Sequence, residues 1–210
     1  EDSAQALGAK YKGKKLGTFG DIGSFSFDAG KTLHTGEGGI IITDNKDLYD
    51  KAAEFSDHGH MHKENLPRGL DPRRTKGLNL RMSELTAAIG IAQLNKIDFI
   101  LSESKKNKEY IKSHLLGIPN ISFREFSDEG GSQGDTLIFN LSNPDTATKI
   151  SKFMEDKGLG TKILPEAFDW HYAGAWEHIF KEMAYYNEVD IHIKWKSTEN
   201  LLRRSICINI

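Results

Sequence analysis

Gly23-Ser-Phe-Ser-Phe-Asp-Ala-Gly-Lys-Thr-Leu-His-Thr-Gly-Glu-Gly-Gly-Ile-Ile-Ile-Thr43 is the stretch whose reading decides the fold. Ser24 to Phe27 alternates polar and apolar side chains, the two-residue period of a strand with unlike faces. Gly39–Thr43 is a short β-branched apolar run, which reads as a buried strand. Between them Gly30, Gly36, Gly38 and Gly39 let the backbone turn and come close to a ligand. Lys31 lies inside that glycine frame. Two readings stand for it: a solvated loop lysine, or an amine placed for chemistry.

The pattern extends outward on both sides. Leu7–Tyr11 and Lys15-Leu16 flank the glycine turn Lys12-Gly13-Lys14, a short hairpin. Asp44-Asn45-Lys46-Asp47 offers a helix cap, followed by Leu48, Ala52 and Phe55 at helical spacing. Residues 56–80 are polar and carry Arg68, Arg73 and Arg74, a loop length usually functional or disordered. Ser83 caps the next helix, whose stripe is Leu85, Ala88, Ile89 and Ala92, and the helical pattern runs on to Gly117-Ile118-Pro119. From Ile121 the pattern becomes that of a small α/β domain. Its strands are expected at 121–126, 136–141 and 161–164, with a helix begun by Asn143-Pro144-Asp145. Glu166–Tyr186 is rich in aromatic residues, and Ser205–Ile210 reads as a strand.

Composition narrows the function classes. A formal charge of −2 over 210 residues gives no basic excess for nucleic acid and no polybasic run for a membrane surface. The charged fraction is ordinary for a soluble protein. The lone Cys207 excludes an internal disulfide and suits the cytoplasm. His58, His60 and His62 alternate, but alternation on a loop, without cysteine or paired acids, is weak evidence for a metal, and none is expected.

Two blocks resemble a known family. Glu1-Asp-Ser-Ala-Gln-Ala-Leu-Gly8, Gly17-Thr-Phe-Gly-Asp-Ile-Gly-Ser-Phe-Ser-Phe27, Lys31 and Thr35-Gly-Glu-Gly-Gly39 form the first. Gly77-Leu-Asn-Leu-Arg-Met-Ser-Glu-Leu85 and Ala87–Leu94 form the second. Together they resemble the DegT/DnrJ/StrS-type sugar aminotransferases, pyridoxal-phosphate (PLP) enzymes of the aspartate-aminotransferase (type I) fold. The resemblance is specific over residues 1–100. It implies an α/β protein made of part of the PLP-binding large domain (1–100), a bridging helix (101–120) and an incomplete small C-terminal domain (121–210). The chain begins inside a motif, so it is expected to be a fragment, or a degraded copy, of a longer enzyme.

The resemblance also implies roles. Lys31 would be the Schiff-base lysine, its amine kept unprotonated by burial and nearby cations. Asp2 would pair with the pyridine nitrogen, Gln5 would lie by the ring, and Ser26 would bond the cofactor phosphate. Asn79 would reach the phosphate of the other subunit's cofactor, which implies a homodimer with shared sites. Arg81 is either a substrate anchor or a surface charge at a helix start. Asp28 stands where many relatives carry histidine. Leu164-Pro165-Glu166 through Trp170-His171-Tyr172 resembles the 8-amino-3,8-dideoxy-manno-octulosonate transaminases, which makes His171 a substrate candidate and the substrate a free acidic keto-sugar. The expected activity is transfer of an amino group, with glutamate as donor, to a keto- or aldehydo-sugar of surface-polysaccharide or antibiotic-sugar biosynthesis. Superfamily dehydratases replace the lysine by histidine, so Lys31 argues against dehydration. An inert fragment that only self-associates is the remaining alternative.

Overall fold

The computed structural model describes residues 1–159, 161–162, 172–183 and 190–210, with only the backbone given at 161, 162, 191 and 192. The chain folds as two units, the first of residues 1–103 with 127–133 and the second of residues 104–126 with 134–210. No helix among the described residues is long and apolar enough to cross a membrane.

The first unit is built from paired short strands and helices. β1 (Lys10–Tyr11) and β2 (Lys14–Lys15) form the expected hairpin, turned by Lys12 and Gly13 at positive φ. β3 (Gly23–Ser26) and β4 (Gly39–Ile42) are antiparallel, with Gly23 opposite Ile42 and Ser26 opposite Gly39. The chain start lies along β3 in the parallel sense. The Ser24 amide donates to the Glu1 carbonyl at 3.0 Å, and the Ser3 amide to the Ser24 carbonyl at 2.9 Å. The close approach here depends on Gly23. A methyl group at that position would overlap the Gly17 carbonyl oxygen and lie 2.9 Å from its carbon.

α1 (Lys46–Ser56) starts on Asn45, whose side chain accepts from the Asp47 and Leu48 amides. α2 (Glu84–Leu94) starts on Ser83, which accepts from the Thr86 amide. α3 (Ile97–Leu115) follows after Asn95-Lys96, so the long helical pattern is two helices.

The apolar stretches of this unit do not lie where periodicity alone puts them. Ile40 and Ile41 are about half exposed, Ile41 at 53%, so among the described residues β4 is not a buried strand. On α2, Leu85, Ile89, Ile91 and Leu94 are exposed and only Gly90 is buried. The reason is that a run of isoleucines records that a face is meant to be covered, without naming the element that covers it. On α1 the buried residue is Glu54, not Phe55.

The second unit carries one antiparallel sheet, ordered β5 (Ser122–Phe123), β6 (Thr136–Asn140), β8 (Ser205–Asn209), β7 (Thr161–Lys162). On β6 burial alternates: Leu137 and Phe139 point inward, their neighbours less so. α4 (Pro144–Asp156) is capped by Asn143, with Pro144 in its first turn. Its Ala147 joins Phe139, Leu141 and Ile206 in the core, against which Phe123, Ile150 and Met154 pack. Cys207 follows Ile206 on β8, buried, with Ile138 and Lys162 opposite it on the two flanking strands. The remaining described helices are short: Glu177–Phe180, Ile191–Lys194 and Lys196–Leu202.

Candidate active site

Lys31 sits on a turn fixed by its neighbours. The Asp28 carboxylate accepts from the Gly30 amide at 2.8 Å, and the Asp28 carbonyl accepts from the Lys31 amide at 3.0 Å. An aspartate whose side chain bonds the backbone two residues on is the usual way such a turn is locked. Asp28 is therefore a turn-former here. The neck of the loop is closed by the Phe27 amide on the Gly38 carbonyl and the Thr35 amide on the Phe27 carbonyl. Leu33, 1% exposed, anchors the loop from inside. Lys31 itself is half-buried, and its amine makes no hydrogen bond or ion pair among the described residues.

Two glycines of the loop are also required by the protein's own packing. A side chain on Gly38 would come within 2.9 Å of Met82 Cε and of Thr35 Oγ1. One on Gly39 would come within 2.8 Å of the Phe25 carbonyl oxygen. Both positions are kept clear for the protein's own packing. Gly36, at φ +86° with open space around it, is needed for the turn alone.

Three further candidates lie near the chain start or on β3. Asp2 is exposed, sits beside Ser24 of β3, and accepts from the Ala4 amide at 3.1 Å. Ser26 ends β3, and its hydroxyl oxygen accepts from the Asp28 amide at 3.3 Å, which leaves its O–H as a donor. Gln5 is exposed, and its carbonyl accepts from Gln133 Nε2 at 2.8 Å. Ser26 ends β3, Asp2 lies on its parallel neighbour and Lys31 on the turn that follows, so one stretch carries an amine, a hydroxyl donor and a carboxylate. That donor set matches an aldehyde, a phosphate and a ring nitrogen in kind.

Asn79 and Arg81 belong to a second group that the sequence did not foreshadow. Residues 78–80 pair with the end of α1: the His58 amide donates to the Leu78 carbonyl and the Leu80 amide to the Ser56 carbonyl. Asp57, 2% exposed, faces Asn79 across this bridge. Its two oxygens take both terminal nitrogens of Arg68, at 2.7 and 2.5 Å. Arg81 Nε donates to Asn79 Oδ1 at 3.0 Å and lies 3.4 Å from Asp57 Oδ1. His62 Nε2 lies 3.5 Å from the other oxygen. The Arg68 bonds, with the charges of Arg68, Arg81 and His62, hold the Asp57 carboxyl far below the usual carboxylate range.

Two more carboxylates hold the segment between them. Glu54 is buried and takes Arg74 Nε at 3.0 Å and its terminal nitrogen at 2.6 Å. Asp71 accepts from the Lys63 and His62 amides and pairs with His60 Nδ1 at 3.1 Å, which lowers its pKa. Among the described residues no three His, Cys, Asp or Glu side chains come together as a metal site. The 56–80 stretch is thus an ordered segment, tied by arginine–carboxylate pairs. Its arginines were visible in the sequence; their buried partners, lone acids on a helix end and a turn, carried no local signal. His171 and the motif from Leu164 to Trp170 lie outside the described residues.

The molecule has clear relatives. A GDP-perosamine synthase of Escherichia coli O157:H7 is 41% identical over 122 residues, covering 58% of this chain and 32% of that protein. Helicobacter pylori PseC, an aminotransferase involved in the biosynthesis of pseudoaminic acid, superposes with a TM-score of 0.78 at 22% identity over 99% of this chain and 53% of its own. An E. coli GDP-4-keto-6-deoxy-D-mannose-3-dehydratase with bound hydrated PLP superposes with a TM-score of 0.77 at 23% identity, over 100% and 55%. The chain therefore spans about a third of the first and about half of the other two. Its fold is the corresponding part of the aspartate-aminotransferase-like fold, mixed α/β in both units. The sequence pattern of the DegT/DnrJ/EryC1/StrS aminotransferase family runs through residues 1–210, and the chain belongs to that family.

Proposed function

We propose that the chain works as part of a PLP-dependent sugar aminotransferase, moving an amino group from glutamate to a keto- or aldehydo-sugar. The observation that carries this reading is Lys31: a half-buried amine with no ionic partner among the described residues, on a turn locked by Asp28, whose amide is held by the Ser26 hydroxyl. Bound PLP supplies an electron-withdrawing ring that accepts charge from the reacting carbon. Lys31 would hold the cofactor aldehyde, and its Nζ would carry the proton at the reacting carbon. Asp2 keeps the ring nitrogen protonated with its free carboxylate oxygen. Gln5 borders the ring. Ser26 donates its O–H to the phosphate, and Asn79 donates its Nδ2–H across a two-fold dimer. Arg81, with terminal nitrogens outside its bond to Asn79, meets the anionic part of the sugar.

Residues 1–100 form the cofactor domain in this reading, 101–120 the connecting helix and 121–210 the small domain. The exposed apolar residues Leu78, Leu80, Met82, Leu85 and Ile91 support association into a homodimer. Dehydration is the second reading, favoured by the likeness to the PLP-bound dehydratase. Lys31 weighs against it, since that superfamily's dehydratases carry histidine at this position. Borohydride reduction in the presence of PLP followed by mass spectrometry tests the assignment. The adduct is expected on Lys31 and absent in Lys31→Ala; an adduct on another lysine overturns it.

A further inference from the structure

We propose that Asp57 is a positioning residue: it holds the Arg81 guanidinium, and through it turns the Asn79 amide so that its NH2 faces away as a fixed donor. The geometry is asymmetric in a telling way. Arg81 Nε is a donor only. It donates to Asn79 Oδ1 at 3.0 Å and is ion-paired with Asp57 Oδ1 at 3.4 Å. The opposite setting of the amide would oppose two donors, so the oxygen is held inward and Nδ2 outward. Asp57 is itself fixed on its other side by the two bonds from Arg68. Its backbone is bridged to that of Asn79, so the carboxylate and the amide it governs share one frame. Asp57 is buried, whereas Arg68, Arg81 and His62 are each about half exposed. One buried carboxylate thus orients several cations at an exposed face, which suits a site whose ligand is an anion.

The inference rests on the reading that Asn79 binds the cofactor phosphate, and it names what sets that contact. The test compares binding of PLP with binding of pyridoxal, which lacks the phosphate, in the purified full chain. The wild type is expected to prefer PLP. Asp57→Asn keeps the shape and removes the charge, and it should lower that preference about 10- to 100-fold, the range for a bond to a charged group. Asn79→Ala should lower it by the same factor, and the double variant no further, because both remove one interaction. Arg81→Lys keeps the charge on an exposed residue and lacks the Nε donor. It should reproduce the loss even if Asp57→Asn folds poorly. Equal weakening of PLP and pyridoxal, or losses that multiply in the double variant, would overturn the role.

A wild type indifferent to the phosphate would sink the cofactor reading instead. The role of Asp57 is then decided by NMR. Without the ion pair that steadies it, the Arg81 Nε bond to Asn79 should open more often, so hydrogen exchange of the Nε proton should quicken at least about tenfold in Asp57→Asn. An unchanged rate overturns the positioning role whatever the ligand.

Discussion

Replacing Gly23 by alanine tests how the Asp2 side of the site is held. The new methyl would overlap the Gly17 carbonyl oxygen and lie 2.9 Å from its carbon and 3.0 Å from its Cα. All three are backbone atoms, so no rotamer change relieves the contact. Segment 1–22 or β3 must shift, and the two bonds that tie Glu1 and Ser3 to Ser24 are the first to go. Their loss costs about 1 kcal/mol each. Overpacking adds about 1–3 kcal/mol. Restriction of the unfolded chain by alanine returns about 0.4–1 kcal/mol. The net expectation is a destabilisation of about 2–5 kcal/mol. Gly20→Ala, whose methyl would meet nothing closer than 3.8 Å, is the control and should be neutral or slightly stabilising. Denaturant unfolding gives the difference, and hydrogen exchange at the Ser3 and Ser24 amides places it. If Gly23→Ala were as stable as Gly20→Ala, with both amides still protected, the close approach would not be what seats Asp2 against β3.

Two further outcomes follow from burial and charge. Ile206 is fully buried in the second unit's core, so Ile206→Ala should cost about 2–5 kcal/mol and Ile206→Val about 0.5–1.5 kcal/mol in denaturant unfolding; equal, small losses would mean the core is not packed as described. The carboxyls of Asp57 and Asp71 are held below their ordinary values, so the unfolded chain binds protons before the folded one does. Their contribution is complete above the unfolded value of about 3.9 and is lost as pH falls through the lower folded values. Thermal melts across that range should show a shallower acid loss for Asp71→Asn than for the wild type, and matching slopes would refute it.

What could be read from the residues was local. The caps Asn45, Ser83 and Asn143 were legible because each bonds an amide two or three positions on. The Lys31 turn was legible from its glycines, while the close packing of Gly38 against Met82 and Thr35 and of Gly39 against the Phe25 carbonyl was not. Asp57 was not legible. Its worth comes from Arg68, eleven residues away, and from Arg81, both brought to it by the fold of a loop without periodic pattern. Ile40 and Ile41 misled in the other direction, since periodicity reports that a face is apolar and leaves its cover to distant chain. The roles of Lys31, Asp2, Gln5, Ser26 and Asn79 came from likeness to a family; their spacing alone supports a turn and two strands.

The chain's only thiol lies on the second strand from one edge of the second unit's sheet, 7% exposed. Alkylating reagents reach Cys207 only when that sheet comes apart, so the pace of its labelling is a stopwatch for one half of the molecule. The other half has no thiol to blur the reading, so the second unit can be timed without altering a single residue.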